Sequence, residues 1–131
     1  MKNNYITLAK KAANTQIKEL RKINRVLDKS FIKAVDSILN CKGKVVCAGI
    51  GKSGLIGRKI SATFSSVGIP SFFCDPAQAL HGDMGQIEKK DLLIIFSYSG
   101  NTSELSNMLK YANRFGIKII GIASKADSLL M

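Results

Sequence analysis

Apolar residues recur at helical spacing in the first third of the chain and in short unbroken runs after Lys44, and this change of rhythm predicts the architecture. Ala13, Ile17, Leu20, Ile23 and Leu27 fall at three- to four-residue steps with lysines and arginines between them, which predicts one long helix over about Ile6–Lys29. Ser30 is placed to cap a second helix with the stripe Phe31, Val35, Ile38 and Leu39, and Gly43 to end it. Beyond Lys44 the runs predict strands near 45–50, 71–74, 92–96 and 117–122, with helices over about 54–67 and 102–115. Gly68-Ile69-Pro70 breaks the first of those helices and Gly116 ends the second. Asp75–Gln86 reads as a polar connection with a helical turn, and Ala126–Met131 as a polar turn opening a helix. Apolar runs without alternation are strands buried on both faces. They imply a parallel sheet covered by helices, an α/β fold.

Composition changes this picture little. At 131 residues and 46% apolar content, the chain has one domain's worth of material. The net charge of +11 is uneven: residues 1–60 carry 14 Lys/Arg against 3 Asp/Glu, and residues 61–131 carry 6 against 6. No arginine-rich cluster or aromatic platform accompanies the basic stretch, so no nucleic-acid partner is expected. The excess reads as a solvated helix face or one covered by an acidic partner subunit. No apolar run approaches the roughly 18–20 residues of a membrane helix, and the N-terminus lacks the apolar stretch of a signal peptide; a cytoplasmic location without membrane contact is expected. Cys41, Cys47 and Cys74 are odd in number and form no CxxC pair. No disulfide scaffold or metal site is therefore expected, and no cofactor is assigned.

The chemistry concentrates in two turns. Gly49-Ile50-Gly51-Lys52-Ser53-Gly54 follows the first predicted strand, and Ser97-Tyr98-Ser99-Gly100-Asn101-Thr102-Ser103-Glu104 follows the third. Glycines let the backbone approach an oxyanion closely, and helix N-termini present free N–H groups. Two such turns at neighbouring strand ends would make one anion pocket, which points to a phosphorylated small molecule. The first turn also matches the dinucleotide fingerprint GxGxxG. Asp75, 21 residues after Gly54, stands near the ~20 expected for a ribose-binding carboxylate. Lys52 suits a phosphate monoester better than a pyrophosphate cradled by backbone.

Residues 49–59, Pro70-Ser71-Phe72-Phe73, His81-Gly82-Asp83-Met84-Gly85 and the second turn together resemble the sugar isomerase (SIS) domain family, of the arabinose-5-phosphate isomerase type. The resemblance spans about residues 43–124. It implies a Rossmann-like three-layer αβα fold with sheet order 2-1-3-4-5 and interconversion of D-arabinose 5-phosphate and D-ribulose 5-phosphate, a step toward the Kdo sugar of lipopolysaccharide. It also implies that Ser53, Ser97, Ser99 and Thr102 hold the phosphate, with Gly51, Gly100 and Asn101 in the same turns. Lys52 and Glu104 match positions proposed to act in catalysis, and His81 matches the family's histidine near the sugar. Asp75 stands where many relatives carry a histidine linked to metal binding, so no metal is assigned. The fold's last strand and two further catalytic positions of the family lie beyond residue 131. The chain therefore reads as a single truncated SIS domain over 1–131, with N-terminal helices in 1–42 and a sheet-and-helix body in 43–131. A homo-oligomer, dimer or tetramer, is implied as well. The alternatives are a non-catalytic sugar-phosphate-binding regulatory module and, behind it, an NAD-binding domain.

Overall fold

Each of the four apolar runs is a strand in the computed structural model, which describes residues 2–131, with side chains from Asn4 onward. Strands β1 (Val45–Gly49), β2 (Ser71–Cys74), β3 (Leu92–Phe96) and β4 (Lys118–Ile122) pair in parallel in the order β2-β1-β3-β4. Val45 stands opposite both Ser71 and Leu92, and Phe96 opposite Ile122. These are the first four strands of the expected order.

Successive side chains point to opposite faces, so every central strand divides between two cores. Val46, Ala48, Leu93 and Ile95 pack with Leu105, Met108, Leu109 and Ala112 on one face. Val45, Cys47, Leu92, Ile94 and Phe96 pack with Ile60, Phe64, Phe73 and Ile38 on the other. Helix α5 (Leu105–Phe115) supplies the first cover and α3 (Gly51–Ser66) much of the second. A short α4 (Pro76–Ala79) starts at Asp75, whose side chain accepts the Ala77 N–H at 3.0 Å. Gly116 ends α5 in the left-handed conformation, φ 65°, as its position predicts.

The chain divides into two compact units, the residues up to Asp36 and Ser37–Met131. In the first, the predicted single helix stops early. Helix α1 runs Lys2–Arg21, a tighter 3₁₀ turn covers Lys22–Arg25, and α2 (Lys29–Leu39) follows. Asp28, rather than Ser30, makes the cap at the start of α2: its carboxylate accepts the Ser30 N–H at 2.7 Å and the Ser30 hydroxyl at 2.6 Å. A carboxylate able to take both donors outcompetes the hydroxyl. These bonds hold the Asp28 carboxyl below its usual range.

Further differences bear on the site. Helix α3 begins at Gly51 rather than near 54, and α5 at Leu105 rather than near 102. The backbone of Thr102–Glu104 instead makes i to i+3 bonds, from Leu105 N to Thr102 O and from Ser106 N to Ser103 O. Gly43 is not a left-handed helix end, since it is absent from the positive-φ glycines. It is needed for space: a Cβ there would overlap the Asp91 carboxylate. Residues 126–131 form turns, not the start of a helix, because Leu130 turns into the core beside Leu93, Leu109 and Ile117.

Candidate functional site

Parallel strands all deliver their following loops to one sheet edge, and ligands bind there in open sheets of this kind. The β1–α3 and β3–α5 turns meet at that edge in an open cleft of about 320 Å³. Ile50, Lys52 and Ser53 line it from the first turn, and Phe96, Ser97, Tyr98, Ser99 and Thr102 from the second. The shared pocket expected from the two motifs is present.

The first turn is built by close backbone approach. A Cβ at Gly54 would lie 2.6 Å from the Gly49 carbonyl oxygen, so α3 seats against β1 only with glycine there. Gly51, at φ 56°, has open space where a Cβ would project. Ile50 provides no side-chain cap and the first turn of α3 carries no acidic residue, which leaves its N–H groups and positive dipole end to an anion. Lys52 is exposed and has no ion-pair partner among the described residues.

The second turn is held by its own hydroxyls. Ser97 is 5% exposed; its Oγ accepts the Gly100 N–H at 3.0 Å and lies 3.1 Å from Thr102 Oγ1. Ser99 Oγ accepts the Asn101 N–H at 3.3 Å. Gly100 sits at φ 70°, a conformation that L side chains rarely adopt. Asn101 does not line the cleft: its side-chain carbonyl accepts the Leu129 N–H at 2.8 Å.

Gly51 and Gly100 shape the turns without lining the cleft, and the two predicted catalytic residues Glu104 and His81 stand outside the lining as well. Glu104 lies at the residue before α5. Its own N–H and the Ser103 hydroxyl, 2.8 Å away, hold its carboxyl below the usual range, so it is ionised at neutral pH. His81 is exposed in the turn after α4. Asp75 caps α4 and faces Arg58 at 3.7 Å, while the Arg58 guanidinium lies 4.1 Å over the Phe73 ring. Burial pushes the Cys47 and Cys74 thiols up to about 11, which removes thiolate chemistry at neutral pH. Among the described residues, no group of three His, Cys, Asp or Glu is placed to hold a metal, and no helix is long and apolar enough to cross a membrane.

A larger cleft, about 410 Å³, lies between α5, β4 and residues 129–131. Its lining mixes Leu109, Ile119 and Leu130 with Ser106, Lys110 and Asn113, and neither glycine-rich turn reaches it. The smaller cleft, where donors from two turns converge, is the candidate site.

Comparison with known proteins identifies the family. Residues 38–131 match the model of the SIS domain. A probable arabinose 5-phosphate isomerase of Haemophilus influenzae is 40% identical over 127 residues, covering 97% of this chain and 38% of that protein. The arabinose 5-phosphate isomerase GutQ of Escherichia coli K12 is 43% identical over 115 residues, 88% of this chain and 36% of the relative. The chain thus spans under two fifths of the length of these two relatives. Among solved structures, an Escherichia coli CFT073 protein in complex with arabinose 5-phosphate superposes with a TM-score of 0.81 at 36% identity, covering 94% of this chain and 67% of that one. A phosphoheptose isomerase from Francisella tularensis shares the fold at 16% identity, with a TM-score of 0.78 over 95% of this chain and 77% of that one.

Proposed function

This chain belongs to the SIS domain family, and from that premise we propose that its two-turn cleft binds a sugar phosphate and forms part of a D-arabinose 5-phosphate isomerase. The convergence of Lys52 and Ser53 with Ser97, Ser99 and Thr102 carries the reading. A phosphate dianion needs several donors and a cation within one concavity, and charge-assisted hydrogen bonds of this kind are stronger than neutral ones. Relatives named as arabinose 5-phosphate isomerases, and one related structure solved with arabinose 5-phosphate bound, support that choice of sugar phosphate.

In this reading the phosphate rests on the first-turn N–H groups of α3 and the hydroxyls of Ser53, Ser97, Ser99 and Thr102, with Lys52 at its edge. The open-chain aldose loses its C2 proton to a base, and O1 takes a proton, giving an enediol. The enediol then gives up its O2 proton and accepts one at C1, and the ketose results; no net proton is consumed. Glu104, ionised and at the end of the second turn, is assigned as a base. Lys52 is the cation that steadies developing negative charge on oxygen, and His81 a donor near the sugar. Run in reverse, from ketose to aldose, the reaction would supply arabinose 5-phosphate toward Kdo and lipopolysaccharide.

A second reading, a sugar-phosphate-binding module without turnover, is favoured by one observation. Among the described residues, neither carboxylate nor imidazole lines the cleft. Thermal shift with D-arabinose 5-phosphate, D-ribulose 5-phosphate and NAD, followed by a colorimetric ketose assay, separates the possibilities. Stabilisation by both sugar phosphates with ketose formation is the expected result. Stabilisation without turnover selects the binding module, and stabilisation by NAD alone overturns both.

A further inference from the structure

We propose that Asn101 is a positioning residue that acts through Leu129: residues 124–130 form a strap that holds the second turn in its anion-binding shape, an inference that rests on the sugar-phosphate reading of the cleft. The strap is tied to the turn at successive points. Ser124 donates its N–H at 3.0 Å and its hydroxyl at 2.6 Å to the Tyr98 carbonyl. Leu129 donates its N–H to Asn101 Oδ1 at 2.8 Å, and Leu130 donates to the Gly100 carbonyl at 3.1 Å. Between these ties Ser128, 8% exposed, presses on Gly100 so closely that a Cβ there would overlap its hydroxymethyl group. Ser128 Oγ bonds the Lys125 carbonyl at 2.9 Å, and the Met131 N–H bonds the Ser128 carbonyl, which closes the strap on itself.

The far end of the strap is anchored. Leu130 is 8% exposed and sits in the same core as Ala48, Leu93 and Leu109. Leu129, by contrast, is 60% exposed, so its contribution is its N–H rather than its side chain.

Peptide geometry connects these bonds to the site. In a trans peptide the C=O and the following N–H point in opposite directions. Drawing the Gly100 carbonyl to the strap therefore turns the Asn101 N–H the other way, and it meets the cleft-lining Ser99 hydroxyl. Drawing the Tyr98 carbonyl to Ser124 turns the Ser99 N–H away from the strap in the same manner. The strap thus sets two peptide planes of the turn before any ligand arrives, and a preorganised site loses less freedom on binding.

The test compares Asn101→Ala, Leu129→Pro, their double variant and Asn101→Asp, with Leu129→Ala as control, all in the 131-residue chain. Two quantities are read: amide hydrogen exchange at residues 99–102 without ligand, and the dissociation constant for D-arabinose 5-phosphate by calorimetry well below the melting temperature. Asn101→Ala and Leu129→Pro should each speed exchange and weaken binding roughly tenfold, the double no further than either, and Leu129→Ala should stay within about twofold of the parent. Asn101→Asp keeps the acceptor and should restore slow exchange, which separates a lost tie from a general loss of folding. Weakened binding in Asn101→Ala but not in Leu129→Pro would overturn the proposal in favour of direct ligand contact. Multiplying losses in the double variant, or unchanged exchange in Asn101→Ala, would overturn it too. Should the parent chain bind no arabinose 5-phosphate, the functional reading fails, and the exchange result alone decides the strap.

Discussion

Ser97 Oγ and Thr102 Oγ1 lie 3.1 Å apart across the second turn, and Ser97 Oγ also accepts the Gly100 N–H. One buried hydroxyl therefore both shapes the turn and borders the cleft. Ser97→Ala should cost about 1–3 kcal/mol of stability, because it strands a buried N–H. Ser99→Ala, whose hydroxyl accepts a longer bond at 3.3 Å, should cost under about 1 kcal/mol. Both should weaken arabinose 5-phosphate binding. Urea denaturation beside calorimetry reads the contrast, and equal stability losses in the two variants would refute the division of labour.

Lys52 stands alone at the cleft, exposed and without an ionic partner among the described residues. Lys52→Ala should leave the melting temperature in place and raise the dissociation constant for arabinose 5-phosphate roughly 10–100-fold, as expected for loss of a hydrogen bond to a charged group. The loss should shrink in high salt. An unchanged constant would place the phosphate elsewhere.

At the opposite edge of the sheet, Asp91 receives the Lys44 N–H at 2.8 Å and the Glu88 N–H at 2.9 Å, with Lys44 Nζ at 3.3 Å. Burial pushes this carboxyl up, but the two N–H groups and the Lys44 ammonium outweigh it, and it lies below its ordinary 3.8. A carboxyl depressed in the folded state stabilises fully above its unfolded value, and that stability is lost as pH falls through the folded one. Asp91→Asn should cost about 1–3 kcal/mol at pH 7. The gap to the parent should narrow below about pH 4, and denaturant melts on either side of that pH check it.

Gly54→Ala places a Cβ 2.6 Å from the Gly49 carbonyl oxygen. The obstructing Gly49 carbonyl is backbone, so α3 must shift as a body. The expected cost is about 1–3 kcal/mol, with arabinose 5-phosphate binding weakened because the first turn moves. A stable variant with normal affinity would show that the approach is looser than described.

Within the N-terminal unit, Ile17, Leu20 and Leu27 are 49%, 64% and 50% exposed. Apolar area left in water costs roughly 25 cal/mol per Å², and we propose that a second copy covers part of it. Residues 1–33 carry 9 Lys/Arg against 2 Asp/Glu, a surplus of +7, so association should strengthen with added salt. Light scattering at micromolar concentration should give a multiple of 14.2 kDa; a clean monomer mass would end the idea.

Much of the fold was legible because burial on both faces leaves a local mark. Val45–Ala48 and Leu92–Phe96 read as parallel strands buried on both faces from their unbroken apolar runs, and Gly116 as a helix end. The two turns were legible as strand-to-helix turns, since glycine and hydroxyl spacing is a property of a short segment. Helix starts were less so: Asp28 displaces Ser30 as cap, and α5 waits until Leu105, because competing hydrogen bonds within one turn decide such boundaries. What only the tertiary structure decided are relationships between distant residues. Gly43 yields space to Asp91, and the turns at 49–54 and 97–102 meet because both follow inner parallel strands. Asn101 looks like a ligand residue in its motif, yet its oxygen is taken by Leu129, 28 positions away. No periodicity records that bond, since it exists only once Leu130 enters the core and brings the neighbouring N–H to the turn.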